Sequence, residues 1–231
     1  MTMSTVSNSI KFKPFDDRGE LRYYQSGYLP HLRQSGCTCF VTFRLADSIP
    51  VGRLNQWRQE RNYWLSMRGI DVRDPNWSRQ FLKLSRADRN IYERNFASNL
   101  FEALDEGMGD NCLKILAVQN IVVSALKHFD GARILLGDFV VMPNHVHALM
   151  TPLDGFELET VLHSIKSWSS NQINKLLSRK GALWMKDSFD RLVRDGGELL
   201  RTQEYIRRNP QTANLNDGEY YVETREFVLG L

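Results

Sequence analysis

Apolar residues change their spacing along the chain, and each change predicts a different element. A spacing of two is typical of strands, and a spacing of three or four is typical of helices. On this basis we predict strands at 37–45, 133–142, 145–151 and about 188–194, and helices at 51–67, about 86–106, 113–129 and 157–177. The Pro143-Asn144 dipeptide favours a tight turn. We therefore predict a β-hairpin at residues 133–151.

The last predicted helix begins at Asp195. Asp195 and Glu198 have the spacing of a capping box, in which the first residue caps the helix and the second lies in its first turn. Pro210 disfavours helical geometry in the residue before it, so we expect this helix to end at Asn209-Pro210. The whole succession predicts an α+β protein with a mostly antiparallel sheet and flanking helices.

Chain length predicts one elaborated domain, because 231 residues only modestly exceed the usual domain size. We expect an irregular N-terminal extension over residues 1–36, a main domain over 37–215 and a C-terminal tail over 216–231. A polar stretch dotted with aromatic residues, about 48–107, is predicted to be a helical insertion. Its Trp and Tyr side chains are expected to pack internally and not to form a stacking platform.

Composition limits the classes of protein. A hydrophobic content of 42% is enough for a sizeable core. No apolar run approaches the ~20 residues that span a bilayer, and the first dozen residues lack the apolar stretch of a secretory signal. We therefore expect a cytoplasmic protein without membrane association. Cys37, Cys39 and Cys112 lack the spacing of a disulfide framework or of a CxxC zinc site, so we expect them to be buried as small apolar side chains.

Charge is distributed unevenly. Between residues 160 and 208 there are ten Lys and Arg against five Asp and Glu. This local excess, ten minus five, is larger than the net charge of +3 for the whole chain, so the remainder is net acidic. A basic C-terminal half favours contact with phosphates. Charge alone is equally consistent with an ordinary solvated surface.

Candidate chemistry begins with His145-Val146-His147. Alternate side chains of a strand share a face, so both imidazoles would point the same way while Val146 points into the core. Two neutral nitrogen donors on one face are suited to a shared divalent metal. The spacing alone is equally typical of two partly buried histidines in a sheet.

A second candidate lies on the last helix. Tyr205 and Asn209 are four residues apart and so lie on one side of that helix. A tyrosine hydroxyl is a competent nucleophile towards phosphorus once it is activated, and an amide oxygen suits Mg²⁺ or Mn²⁺. The position of Tyr205 is also typical of a packing residue.

Taken together, these motifs resemble the REP-associated tyrosine transposases, a group of single-tyrosine HUH transposases. The resemblance runs from about residue 32 to 215 and rests on residues 40–45, 128–131, 141–147, 163–167, 184–195 and 205–210. It implies a ferredoxin-like antiparallel sheet with flanking helices. It also implies single-stranded DNA with hairpins, namely REP-like palindromes, as the substrate. The protein would act as a monomer or homodimer.

The resemblance also implies roles for individual residues. His145 and His147 would be metal ligands, Asn209 the third ligand for Mg²⁺ or Mn²⁺, and Tyr205 the nucleophile that forms a 5′-phosphotyrosine. Side chains expected to contact DNA are Lys166, Arg191, Arg194, Arg207 and Arg208, and Lys166 is also a candidate base. The chain departs from the family pattern at Met185, Gln211 and Asn214. Two alternatives are a domesticated hairpin-DNA-binding protein with little turnover and a metal-dependent phosphodiester hydrolase.

Overall fold

The computed structural model of the protein describes residues 9–16, 18–26, 29–97, 103–104 and 106–229. Its strands are β1 (Ile10–Lys11), β2 (Arg22–Ser26), β3 (Leu29–Arg33), β4 (Cys39–Arg44), β5 (Ile134–Val141), β6 (His145–Pro152), β7 (Phe189–Leu192), β8 (Tyr221–Glu223) and β9 (Phe227–Val228). Its α-helices are α1 (Val51–Ser66), α2 (Trp77–Leu82), α3 (Arg86–Tyr92), α4 (Leu116–Lys127), α5 (Leu158–Leu176) and α6 (Gly196–Thr212).

A five-stranded sheet in the order β7-β4-β6-β5-β8 forms the centre of the molecule. Every pairing in it is antiparallel. Along the chain the sequence β4-α4-β5-β6-α5-β7 makes two βαβ units whose strands interleave, which is the ferredoxin-like arrangement. The predicted α+β class, the ferredoxin-like sheet and the β-hairpin at 133–151 are therefore confirmed.

The two faces of this sheet carry separate cores. One face packs against α4 and α5 through apolar side chains such as Val41, Phe43 and Val146. The other face packs against α6, where Phe40 and Leu149 of the sheet join Leu199, Ile206 and neighbouring residues. Because side chains alternate along β6, burial of Val146 towards α4 and α5 turns both flanking histidines towards α6.

Both ends of the described chain contain strands, contrary to the irregular extension expected over residues 1–36. β2 and β3 form an antiparallel hairpin, and β1 pairs in parallel with β9. Scattered Gly, Pro and charged residues in this segment hid the strand pattern from the sequence. At the other end, β8 extends the main sheet beside β5, so the expected tail supplies an edge strand.

The helical insertion over 48–107 is confirmed in its described part. It contains α1, α2 and α3, and α3 continues into a π-helix at Glu93–Ala97, while residues 98–102 and 105 of the predicted helix lie outside the described residues. Trp77 and Tyr92 pack in its core as expected, but Tyr63 is exposed. All three cysteines are buried and unbridged, as predicted.

The predicted end of the last helix is wrong, because α6 continues through Pro210 to Thr212. Pro210 lies in the final turn, where its missing N–H removes one hydrogen bond, and the turn is closed by the N–H groups of Ala213 and Leu215. Asn214 then takes a left-handed conformation with φ of 53°. This is the conformation that asparagine tolerates in place of glycine. Among the described residues, no helix has the length and apolar character needed to cross a membrane.

Candidate active site

His145 and His147 lie side by side on the face of β6 that α6 covers. Their Nε2 atoms are 3.0 Å apart, and both side chains are almost completely buried. Burial lowers the pKa of His145 to about 3. Burial, and then the neighbouring His145, lower the pKa of His147 well below its usual range. Both imidazoles are therefore neutral at physiological pH, which is the form that ligates metals.

Asn144 determines which nitrogen of His145 carries the proton. The Asn144 amide nitrogen donates to the carbonyl oxygens of Leu104 and Met108, at 3.1 and 3.2 Å. Its Oδ1 therefore faces Nδ1 of His145, 2.6 Å away, and accepts a hydrogen bond from it. With the proton held on Nδ1, Nε2 of neutral His145 presents a lone pair to the site.

His147 is held by the neighbouring strand β4. Its Nδ1 lies 2.6 Å from the Thr42 hydroxyl, which can donate or accept. The ring of Phe40 stacks on the imidazole with 5.3 Å between ring centroids. A hydroxyl partner that can reverse its role allows His147 to present either a proton or a lone pair at Nε2.

Tyr205 reaches the histidines from α6. Its hydroxyl lies 3.3 Å from Nε2 of His147, and the side chain is half-buried. The edge of the Tyr205 ring meets Phe40 at 5.9 Å between centroids. The nucleophile and the histidine pair expected from sequence are therefore brought together within one chain.

Asn209 is a buried amide on the helix that carries Tyr205. It is one helical turn beyond Tyr205 and only 1% exposed. Within the part of the chain that the structure describes, neither its Oδ1 nor its Nδ2 has a hydrogen-bond partner. A buried amide without a partner costs free energy, so such a group calls for an explanation, of which a bound ion or water is one.

The donor set fits a divalent cation. Two ligands held at ~2.1 Å from an octahedral ion, at right angles, lie about 3.0 Å apart, which matches the separation of the two Nε2 atoms. The described residues contain no group of three or more His, Cys, Asp or Glu side chains suited to a metal. The unpartnered amide of Asn209 offers a further oxygen donor on the helix that carries Tyr205.

Asp138 fixes the helix that carries Tyr205. Its fully buried carboxylate accepts hydrogen bonds from Nε2 of Gln203 at 3.1 Å, from Nε of Arg207 at 2.8 Å and from the backbone N–H of Arg225 at 2.9 Å. Gln203 and Arg207 lie two residues before and two residues after Tyr205, one helical turn apart. Asp138 therefore sets the rotation of α6 about its axis.

The predicted DNA-binding side chains lie in three different places. Lys166 donates to Lys186 O and Ser188 Oγ, on the loop before β7. Arg191 pairs with Glu198 at 3.3 Å and lies over the ring of Phe40. On α6, Arg207 forms an ion pair with Asp138 and keeps 43% of its side chain exposed, and Arg208 forms one with Glu204 and keeps 68% of its side chain exposed. Arg194 is exposed just before the same helix. Their contact with DNA stays a prediction.

Sequence reasoning missed Thr42, Asn144 and Asp138. Thr42 and Asp138 carry no local motif, because their roles depend on strand pairing and on a helix far along the chain. Asn144 precedes the histidine pair directly, and a short polar residue beside a metal-binding histidine is a usable signal for a hydrogen bond to its second ring nitrogen.

Similarity to known proteins includes the segment that holds this site. The family model described as "Transposase IS200 like" matches residues 116–209. A solved structure described as "Structure of the REP associates tyrosine transposase bound to a REP hairpin" is 13% identical, with 81% of this chain and 72% of that chain covered and a TM-score of 0.40. No curated protein matches the chain. The matched segment, residues 116–209, contains both histidines, Tyr205 and Asn209.

Proposed function

We propose that this protein is a transposase-like, metal-dependent transesterase that cleaves and rejoins single-stranded DNA through Tyr205. The observation that carries the proposal is the convergence of the Tyr205 hydroxyl and the paired histidine nitrogens. The buried, unpartnered amide of Asn209, one helical turn beyond Tyr205, adds to it. The motif resemblance supports DNA next to short hairpins, of the REP-like palindrome type, as the substrate.

In the proposed reaction the Tyr205 oxygen attacks the scissile phosphorus in line with the leaving 3′ oxygen. The phenol loses its proton, the bond from phosphorus to the 3′ oxygen breaks, and that oxygen takes up a proton. The products are a 5′-phosphotyrosine and a free 3′-hydroxyl. Because the phosphodiester is conserved, a second 3′-hydroxyl can reverse the step and join strands without ATP.

His145, His147 and Asn209 would hold Mg²⁺ or Mn²⁺. When bound, such an ion polarises a non-bridging phosphate oxygen and stabilises the charge that develops during transfer. The protein contributes position: Asn144 and Thr42 orient the imidazoles. Burial keeps water from competing for the three donors.

The test is covalent capture. The protein is incubated with a labelled single-stranded oligonucleotide carrying a stem-loop, with and without Mn²⁺, and resolved under denaturing conditions. We expect a Mn²⁺-dependent protein–DNA adduct in the wild type that is absent from Tyr205→Phe. The matched control is Tyr63→Phe, because Tyr63 is an exposed tyrosine of the insertion, and it should form the adduct normally.

Two results would favour the alternatives. Multiple-turnover cleavage that survives Tyr205→Phe without a protein-linked product would identify a hydrolase that uses the histidines to activate water. Tight binding to many stem-loop oligonucleotides without any adduct would identify a DNA-binding protein with little turnover.

A further inference from the structure

Arg44 is a buried cation on the same face of the sheet as the histidines. It is the last residue of β4 and lies directly opposite His145 in β6. Directly opposed residues of an antiparallel pair share a face, with Cβ atoms about 4.5–5.5 Å apart. The side chain is only 7% exposed, so its charge has been brought out of water next to the candidate active site.

The charge of Arg44 is weakly compensated. Its Nη1 donates to Ser48 Oγ at 3.0 Å, which is its one hydrogen bond among the described residues, although a guanidinium has five N–H donors. Burial lowers the pKa of Arg44 to about 10. Arg33 is equally buried, but Glu159 and Asp190 pair with it. Burial alone would lower the pKa of Arg33, but the attraction of Asp190 outweighs it and raises that pKa.

Lys166 is a second cation at the same end of the sheet, which it reaches from helix α5 on the opposite face. The loop that carries its acceptors, Lys186 O and Ser188 Oγ, is joined to Arg44 by the hydrogen bond from Met185 N to Arg44 O at 2.8 Å. Burial lowers the pKa of Lys166 to about 8, with Asp187 opposing the shift and Arg44 adding to it. Arg44 likewise feels the attraction of Asp187 and the repulsion of Arg58.

We propose that Arg44 and Lys166 form an anion site that binds a backbone phosphate of single-stranded DNA. Arg44 and Lys166 share a single carboxylate, Asp187, so a phosphate would supply further negative charge, and the planar guanidinium matches its oxygens. The identity of the phosphate rests on the proposed function: it would be the linkage beside the one that Tyr205 attacks, because Arg44 and His145 are direct cross-strand neighbours.

The experiment measures binding of a labelled stem-loop single strand by fluorescence anisotropy at several salt concentrations. A charge-assisted hydrogen bond is worth ~1.5–3 kcal/mol, so Arg44→Gln and Lys166→Met should each weaken affinity by about tenfold or more. The salt dependence of log K should fall by about 0.7 for a lost single-strand phosphate contact. The control is Lys175→Met, an exposed lysine of the same helix α5, which should bind like the wild type.

Affinity and salt dependence unchanged in both variants would overturn the anion site. Lys166→Met keeps the test decisive if Arg44→Gln does not fold, which thermal denaturation would reveal. Adduct formation on the same oligonucleotide separates this proposal from the proposed function. A wild type without adduct but with weakened binding in Arg44→Gln supports the anion site alone, whereas adducts with unaffected variants support the proposed function alone.

Discussion

Replacing Asn209 by alanine should stabilise the metal-free protein while weakening its response to metal. The buried amide lacks hydrogen-bond partners among the described residues, and burying such a group costs about 1–3 kcal/mol. Alanine also has a helix propensity better by up to ~0.7 kcal/mol. The small cavity left behind costs roughly 1 kcal/mol. The net expectation is a gain of about 1–2 kcal/mol.

Thermal denaturation followed by circular dichroism would measure this gain. For a chain of this length, 1 kcal/mol shifts Tm by about 2–4 °C, so Asn209→Ala should melt about 2–8 °C higher in EDTA. A ligand at a hundred times its Kd stabilises a protein by about 2.7 kcal/mol. Excess Mn²⁺ should therefore raise the Tm of the wild type by roughly 5–10 °C, and that of the variant by clearly less.

The matched control is Asn174→Ala in α5, whose amide is partnered because it donates to Gly181 O at 3.0 Å. This variant should melt no higher than the wild type in EDTA and should respond to Mn²⁺ normally. A lower Tm for Asn209→Ala in EDTA, or a full response of that variant to Mn²⁺, would refute the assignment of Asn209 as a ligand.

Three further predictions concern stability. Asp138→Ala should cost about 2–4 kcal/mol, because the backbone N–H of Arg225 loses its acceptor and Gln203 keeps only its hydrogen bond to Arg225 O, while the half-exposed guanidinium of Arg207 is hydrated. A calorimetric Tm within about 2 °C of the wild type would contradict this. Asp195→Ala removes the cap that accepts from Glu198 N and should cost about 1 kcal/mol, whereas Asp195→Ser should retain most of that stability in urea denaturation. Burial lowers the pKa of Lys166 to about 8, below the 10.5 of a free lysine. Between these two values the unfolded chain binds more protons than the folded chain, so the free energy of unfolding rises with pH. The rise should be smaller in Lys166→Met, and identical pH profiles of the two proteins would contradict the buried position of this lysine.

The local patterns of the sequence were sufficient for the centre of the site. Alternation along β6 places His145 and His147 on one face, and helical spacing places Tyr205 and Asn209 on one side of α6. These relations depend only on the periods of regular elements, so they follow from neighbouring residues. The resemblance to a known family then joined the two halves of the site.

Features that depend on long-range pairing were not predicted. Asp138 acquires its partners only because α6 packs on β5 and the chain returns at Arg225. Arg44 looks like an ordinary strand end until its register with His145 is known. The prediction that the last helix ends at Asn209-Pro210 was wrong. It relied on the preference of the residue before a proline for non-helical geometry, but Pro210 lies in the last turn, where the loss of one hydrogen bond is tolerated.

The pairing of β1 with β9 gives the protein a particular order of assembly. Ile10 pairs with Phe227, and Asp138 requires Arg225 to complete its set of donors. Contacts so distant in sequence form late, because a long loop must close first. During translation, the histidine strand would leave the ribosome well before the segment that fixes the tyrosine helix. A nascent chain would therefore hold His145 and His147 in their strand before the helix that carries Tyr205 and Asn209 is locked in place.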